Sequence, residues 1–121
     1  MNEIFVESAR QVIKVLTNAK NLESELLEGT IASTVIPGYK RVEKSNYCFE
    51  LVIDIDAEIN EINLDNNSRR LKISAKGLKE LPRYPLLYSL FYVFNRVYQE
   101  NDLFHLHGSS ISKNNQSILL L

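Results

Sequence analysis

Cysteine, glycine, proline and long apolar runs are all scarce in this chain, and each scarcity excludes something. There is one cysteine, Cys48, together with three prolines, four glycines, one methionine and no tryptophan in 121 residues. A lone cysteine excludes a disulfide framework. So little glycine and proline excludes collagen-like and low-complexity chains, and the absence of any like-charge run longer than two excludes a block-charged disordered tail. The longest apolar stretch, Leu86 to Phe94, is interrupted by Ser89 and falls well short of the ~20 residues that cross a bilayer. The start Met1-Asn2-Glu3-Ile4 has neither the basic nor the apolar segment of a signal peptide. Fourteen Lys and Arg are offset by 15 Asp and Glu, for a net charge of −1, so no overall basic face is on offer to nucleic acid. These absences predict a cytoplasmic protein that binds neither membrane nor nucleic acid. What remains is a chain with 45% hydrophobic and 24% charged residues, which suits one ordinary core without repeats or an internal linker.

Periodicity then predicts the elements. Val6, Ala9, Ile13 and Leu16 recur at spacings of three and four, with Glu7, Arg10, Gln11 and Lys14 between them, which is a helical stripe. A second short stripe, Leu22, Leu26 and Leu27, stops at Gly29, a residue suited to a left-handed helix cap. From Thr30, the β-branched Ile31, Thr34, Val35 and Ile36 favour a strand before a Pro37-Gly38 turn. Tyr47 to Asp56 alternates, with Phe49, Leu51, Ile53 and Ile55 on one face and Glu50, Val52, Asp54 and Asp56 on the other. After the turn-rich Asp65-Asn66-Asn67-Ser68, Leu71, Ile73 and Ala75 make a second half-buried strand, placed to pair antiparallel with the first. Pro85 opens a mostly buried helix at about 85–100, with Leu87, Leu90, Phe91, Phe94 and Tyr98 on one stripe. The tail reads as strand, polar break (Ser112 to Gln116) and strand. The fold class is therefore α/β, or α+β within these residues, with a mixed or antiparallel sheet and a buried helix.

Ile118 to Leu121 has no polar side and fits a strand buried on both faces. A chain end inside such a strand is unusual for a solvated terminus, and the expectation is a truncated protein. The ending Leu106-His107-Gly108-Ser109-Ser110-Ile111, a short polar loop, and then Ser117-Ile118-Leu119-Leu120-Leu121 resembles the entry to the HPr kinase/phosphorylase-like catalytic domain. In that family a His-Gly strand turns back into an apolar strand just before the P-loop. The resemblance covers 104–121, with the preceding helix in the same order, and matches the first 80 residues in outline only. It implies an N-terminal α/β region over 1–103 and, over 104–121, the first strands of a P-loop domain whose kinase core is absent.

The implied activity is ATP-dependent phosphorylation of a serine hydroxyl on a small protein, peptide or small molecule, with Mg²⁺ at the phosphates. The P-loop itself, G-x-x-x-x-G-K-[ST], is not in the sequence: the glycines are Gly29, Gly38, Gly77 and Gly108. The family's catalytic acids follow that loop, so this chain by itself is expected to bind no ATP or Mg²⁺ and to transfer no phosphate. Two residues carry over from the resemblance, His107 as an accessory to the catalytic pocket and Gly108 on the cofactor side. For His107 a hydrogen-bonding role in the pocket stands beside a purely structural one, and Gly108 equally allows close backbone approach in a strand.

Other groups weigh against chemistry. His105 and His107 lie two apart with only Asp102 near in sequence, too few ligands for zinc. Glu50, Asp54 and Asp56 share a strand face, where Mg²⁺ or acid–base work competes with a simple solvated face, and alternation favours the latter. Cys48 has no neighbouring histidine to activate it. Tyr84, Tyr88, Phe91, Tyr92, Phe94 and Tyr98 sit at helical spacing without interleaved Lys or Arg, which reads as core and not as a base-stacking platform. The sequons at Asn66 and Asn115 have no meaning without secretion. Beside the kinase fragment stands a reading of another class, a binding or adaptor module that retained this lobe and lost the core. The kinase fragment predicts an exposed apolar patch on the helix 86–98 and the last strand, and with it self-association into a homo-oligomer. A fragment of another P-loop ATPase is the third reading.

Overall fold

The computed structural model describes residues 1–78, 83–103, 109–114 and 116–120. Eight strands and three helices follow one another as β1 (Asn2–Ser8), β2 (Gln11–Thr17), α1 (Lys20–Glu28), α2 (Ala32–Val35), β3 (Lys40–Val42), β4 (Phe49–Ala57), β5 (Glu61–Asp65), β6 (Arg70–Lys76), α3 (Arg83–Glu100), β7 (Ser109–Lys113) and β8 (Gln116–Leu120). Six strands form one mixed sheet in the order β3-β1-β2-β4-β6-β5, and β7 and β8 form an antiparallel hairpin. The α+β class with a mixed sheet and a buried helix is therefore what the chain adopts.

The first element departs from the expected helix. Residues 2–17 make a β-hairpin in which Ser8 faces Gln11, and Ala9 and Arg10 form its two-residue turn at φ 50° and 64°. The same apolar residues also satisfy a period of two: Ile4, Val6, Ile13 and Val15 all point into the core, and all are β-branched. The helical spacing spanned two strands, and the turn lacks the Asn-Gly signal that marks such hairpins.

Residues 30–36 reverse the error. Strand propensity is overridden because the Glu25 carboxylate accepts hydrogen bonds from the backbone N–H of Ile31 and Ala32 (2.5 and 2.9 Å) and caps the short helix α2. The cap at Gly29 forms as expected, in the left-handed region, with its N–H bonded to Glu25 O. A Cβ at Gly29 would also lie 2.9 Å from the Tyr39 ring.

β4 and β6 are neighbours, as expected, but parallel, with Leu51 beside Leu71 and Ile53 beside Ile73. The correction comes from β5, a short strand of alternating polar and aliphatic residues, all five exposed. β5 runs antiparallel on the far side of β6, so β6 slots between β4 and β5. Asn60 secures the connection by accepting from the Lys76 N–H (2.8 Å), while Leu78 N–H bonds to Ile55 O (3.0 Å).

One face of the sheet carries the core. Val6, Ile13, Val15, Phe49, Leu51 and Ile53 are almost fully buried beneath Leu22 and Leu26 of α1 and Leu90, Val93, Phe94 and Val97 of α3. Ser8, Tyr98 and the Pro37 carbonyl meet at one margin, where the Ser8 hydroxyl donates to Pro37 O and shares a hydrogen bond with the Tyr98 hydroxyl. This ties the first hairpin to α3 and to the loop before β3.

Holding a non-glycine residue in the left-handed region costs ~1–2 kcal/mol, offset in part by the greater chain entropy of glycine. Arg10 is exposed, so Arg10→Gly is expected to raise stability by about 0.5–1 kcal/mol. Gly29→Ala, strained at φ 71° and against Tyr39, is expected to lower it by at least about 1 kcal/mol. Urea unfolding midpoints measure both.

Candidate functional site

The open end of the β1–β3 pairing makes a groove. β3 pairs with β1 only at Phe5, Val6 and Glu7, and the chain then turns away at Glu43 and Lys44. The N-terminal half of β1, the diverging segment 41–44 and α1 enclose a cavity of about 480 Å³, within the range of ligand sites. Its apolar contacts come from Ile4, Phe5, Leu27 and Val42, and its charges from Glu3, Glu23 and Glu43 against Arg41 and Lys44. Asn2 donates its side-chain amide to Glu23 (2.7 Å), and Lys44 lies 3.8 Å from Glu3. Arg41 is exposed and makes no ion pair among the described residues. No serine, cysteine or histidine lines the groove. It offers shape, apolar contact and two signs of charge, which suits holding a ligand.

A second cluster gathers where α3 ends against the start of β4 and β6. Arg69, at φ 54° in the β5–β6 turn, donates its Nε to Cys48 O (2.6 Å) and its Nη2 to Glu100. Arg96 donates to Asn66 and lies 3.6 Å from Glu100. Both guanidinium groups stand over the Phe49 ring, at 5.4 and 5.8 Å from its centroid. One carboxylate thus serves two arginines. The hydrogen bond from Arg69 is the largest influence, and with the charges of Arg69 and Arg96 it holds the Glu100 carboxyl below its ordinary value despite the opposing effect of burial. The Cys48 thiol beside it donates to Val12 O (3.3 Å), and burial pushes its pKa up despite Arg69. That is the environment of a packed thiol and not of a nucleophile.

Of the residues singled out in the sequence, His105, His107 and Gly108 lie outside the described residues, as does the start of the tail at Phe104. Glu50, Asp54 and Asp56 share a strand face, as expected, but do not act together. Glu50 is claimed by Arg70 (2.9 Å) and Lys14 (3.6 Å), Asp54 takes the Asn18 amide (2.8 Å), and Asp56 is exposed. No group of three metal-ligating side chains exists among the described residues. On α3, Phe94 and Tyr98 are buried and stacked, Phe91 is partly buried, and Tyr88 and Tyr92 are exposed. The groove and the arginine cluster escaped sequence reasoning because their residues come from segments far apart in the chain. No helix of the described residues is long and apolar enough to cross a membrane.

Comparison with protein-family models, with curated proteins and with solved structures yielded no match. The functional reading therefore rests on the residues themselves.

A carboxyl whose pKa is lowered by folding contributes stability above its unfolded value and loses that contribution as pH falls through the folded one. For Glu100 the loss begins near the ordinary 4.5 and continues at lower pH. Glu100→Gln is expected to flatten the acid limb of the stability-versus-pH curve in this window. Because the pair is a third or more exposed, an Arg69→Ala, Glu100→Ala double-mutant cycle should give a coupling of only about 0.2–1 kcal/mol.

Proposed function

We propose that these residues are the N-terminal, non-catalytic part of an ATP-dependent serine kinase of the HPr kinase/phosphorylase-like type, with 1–103 as its α/β region and 104–121 as the first strands of its P-loop domain. What supports the reading is the order of the tail. The mostly buried helix α3 is followed by His107-Gly108, then β7 from Ser109 to Lys113, and then the return strand β8, with Ile111 opposite Ile118. A His-Gly strand that turns back into an apolar strand is the pattern on which the resemblance rests. In this reading the protein is cytoplasmic, its acceptor is a serine on a small protein, a peptide or a small molecule, and His107 and Gly108 border the pocket of the whole enzyme.

ATP and Mg²⁺ do not fit the residues present. The four glycines and their neighbours make no phosphate cradle of the form G-x-x-x-x-G-K-[ST], and the described carboxylates are dispersed or already paired. No phosphoryl-transfer step runs through this chain. Its part is to supply shape and a surface for the acceptor or for the catalytic core.

The alternative, a binding or adaptor module derived from such a kinase, is favoured by one observation: the groove beside β1 offers apolar contact and charges of both signs to a ligand.

The reading frame downstream of the Leu121 codon separates the two. A segment encoding Gly-x-x-x-x-Gly-Lys-Ser/Thr within the next few residues is expected. The extended chain should then bind Mg²⁺·ATP and label a serine, while the 121-residue chain binds no nucleotide. A frame without that segment overturns the kinase reading and leaves the adaptor.

A further inference from the structure

The two edges of the six-stranded sheet are not alike. β3 is three residues long and presents Lys40 and Arg41, both exposed. Short length and exposed basic side chains are the usual means by which an edge resists another strand. β5 has none of these guards. It is five residues, Glu61-Ile62-Asn63-Leu64-Asp65, with no Lys, Arg or Pro, and pairs with β6 in unbroken register. All five residues are exposed, Ile62 at 75% and Leu64 at 37%. Among the described residues, β6 is the only strand paired with β5, which leaves its other edge free.

β6 displays what suits β5. Across their register Arg70 stands opposite Asp65, Leu71 opposite Leu64, Lys72 opposite Asn63 and Ile73 opposite Ile62, while Glu61 faces Ser74 and has no basic residue opposite it. The free edge of β5 offers a second strand the same rows, two aliphatic side chains on one face and Glu61, Asn63 and Asp65 on the other. A second copy of β5 fits poorly: antiparallel pairing centred on Asn63 sets Glu61 against Asp65 of the other chain twice, and parallel pairing in register sets like against like. Like charges directly opposite are destabilising. A basic strand relieves both ends.

We infer that the free edge of β5 is a docking strand for an extended peptide segment of the pattern basic–aliphatic–any–aliphatic–basic, added to the sheet by main-chain hydrogen bonds. Its two basic residues lie opposite Glu61 and Asp65 and its aliphatic pair lies beside Ile62 and Leu64. The inference does not depend on the kinase reading, and either can fail without the other.

The test uses a fluorescein-labelled peptide, Gly-Lys-Leu-Thr-Ile-Lys-Gly, titrated with the 121-residue chain and followed by anisotropy. Saturable binding is expected that weakens with added salt and slows amide exchange at residues 61–65. Binding should be about tenfold or more weaker for Gly-Glu-Leu-Thr-Ile-Glu-Gly and for Gly-Lys-Lys-Thr-Leu-Ile-Gly, which breaks the alternation. Ile62→Lys, at a side chain already in solvent, should abolish binding while leaving the urea midpoint in place. Glu61→Lys should shift preference toward the acidic peptide, a gain that misfolding cannot produce. Absence of saturable binding, equal binding of the scrambled peptide, indifference to Ile62→Lys, or self-association through this edge that Ile62→Lys removes would each overturn the inference.

Discussion

The sheet face that carries Val6, Ile13, Val15, Phe49, Leu51 and Ile53 must be covered, and the positions of the helices follow from that requirement. Each of these side chains contributes about 1.5–3 kcal/mol when fully buried, and all six are within 1% of complete burial. On the opposite face Phe5 and Val52 are buried among charged neighbours. α1 reaches the layer because β2 and β4 are parallel, and a parallel connection has to travel back across the sheet. α3 reaches it by running back from the far end of β6, so that its last turn meets the start of β4 at Phe49. The helix owes its stability to this contact more than to its composition, since Val93, Val97 and the aromatics are indifferent helix formers.

With one face committed to packing, the other is organised by charge. Lys14, Glu50 and Arg70 stand side by side on β2, β4 and β6, and their registers place them in one row across the three strands. The row alternates in sign, with Glu50 held by Arg70 and Lys14, and Lys14 also by Glu3. Tyr47 covers Phe5 beside this row and takes the Lys14 ammonium over its ring at 5.2 Å. These ion pairs join the largely covered Lys14 and Glu50 to the exposed Arg70. Their consequence is register: sliding a strand by one residue would bring these charges into the apolar layer and Leu51 or Val15 into water.

The sequence disclosed the elements whose burial is one-sided and uninterrupted. β4 alternates apart from Val52, β6 does so well enough to be placed, α3 has a wide apolar stripe, and Gly29 marks the end of α1. It misled where two periods fit the same residues. Val6, Ala9, Ile13 and Leu16 keep helical spacing only because a two-residue turn of Ala9 and Arg10, neither a usual turn former, brings two strands into step. It misled again at 30–36, where one carboxylate, Glu25, captures two backbone N–H groups and turns a β-branched stretch into a helix. β5 carried only a weak signal, the alternation of Glu61, Asn63 and Asp65 with Ile62 and Leu64 over five exposed residues. The polar sites were invisible for a further reason. The groove joins β1, α1 and 41–44, and the arginine cluster joins 48–49, 66–69 and 96–100, so neither exists until the chain is folded.

The misreading of β4 and β6 as an antiparallel pair bears directly on function. Had they paired antiparallel, the acidic, aliphatic segment 61–65 would have been a loop at one end of a hairpin. Because β6 inserts between β4 and β5, that segment becomes the last strand of the sheet, and its backbone is fixed in extended form with one side open. The opposite edge ends instead in a short basic strand beside a groove. Among the described residues the fold thus places two unfilled surfaces at opposite edges of one sheet, one an open strand and the other an open groove. Their charges differ in kind, acidic at β5 and mixed beside β3, so one ligand does not suit both. Two chemically distinct surfaces on one sheet are the kind of frame that the proposed function calls for.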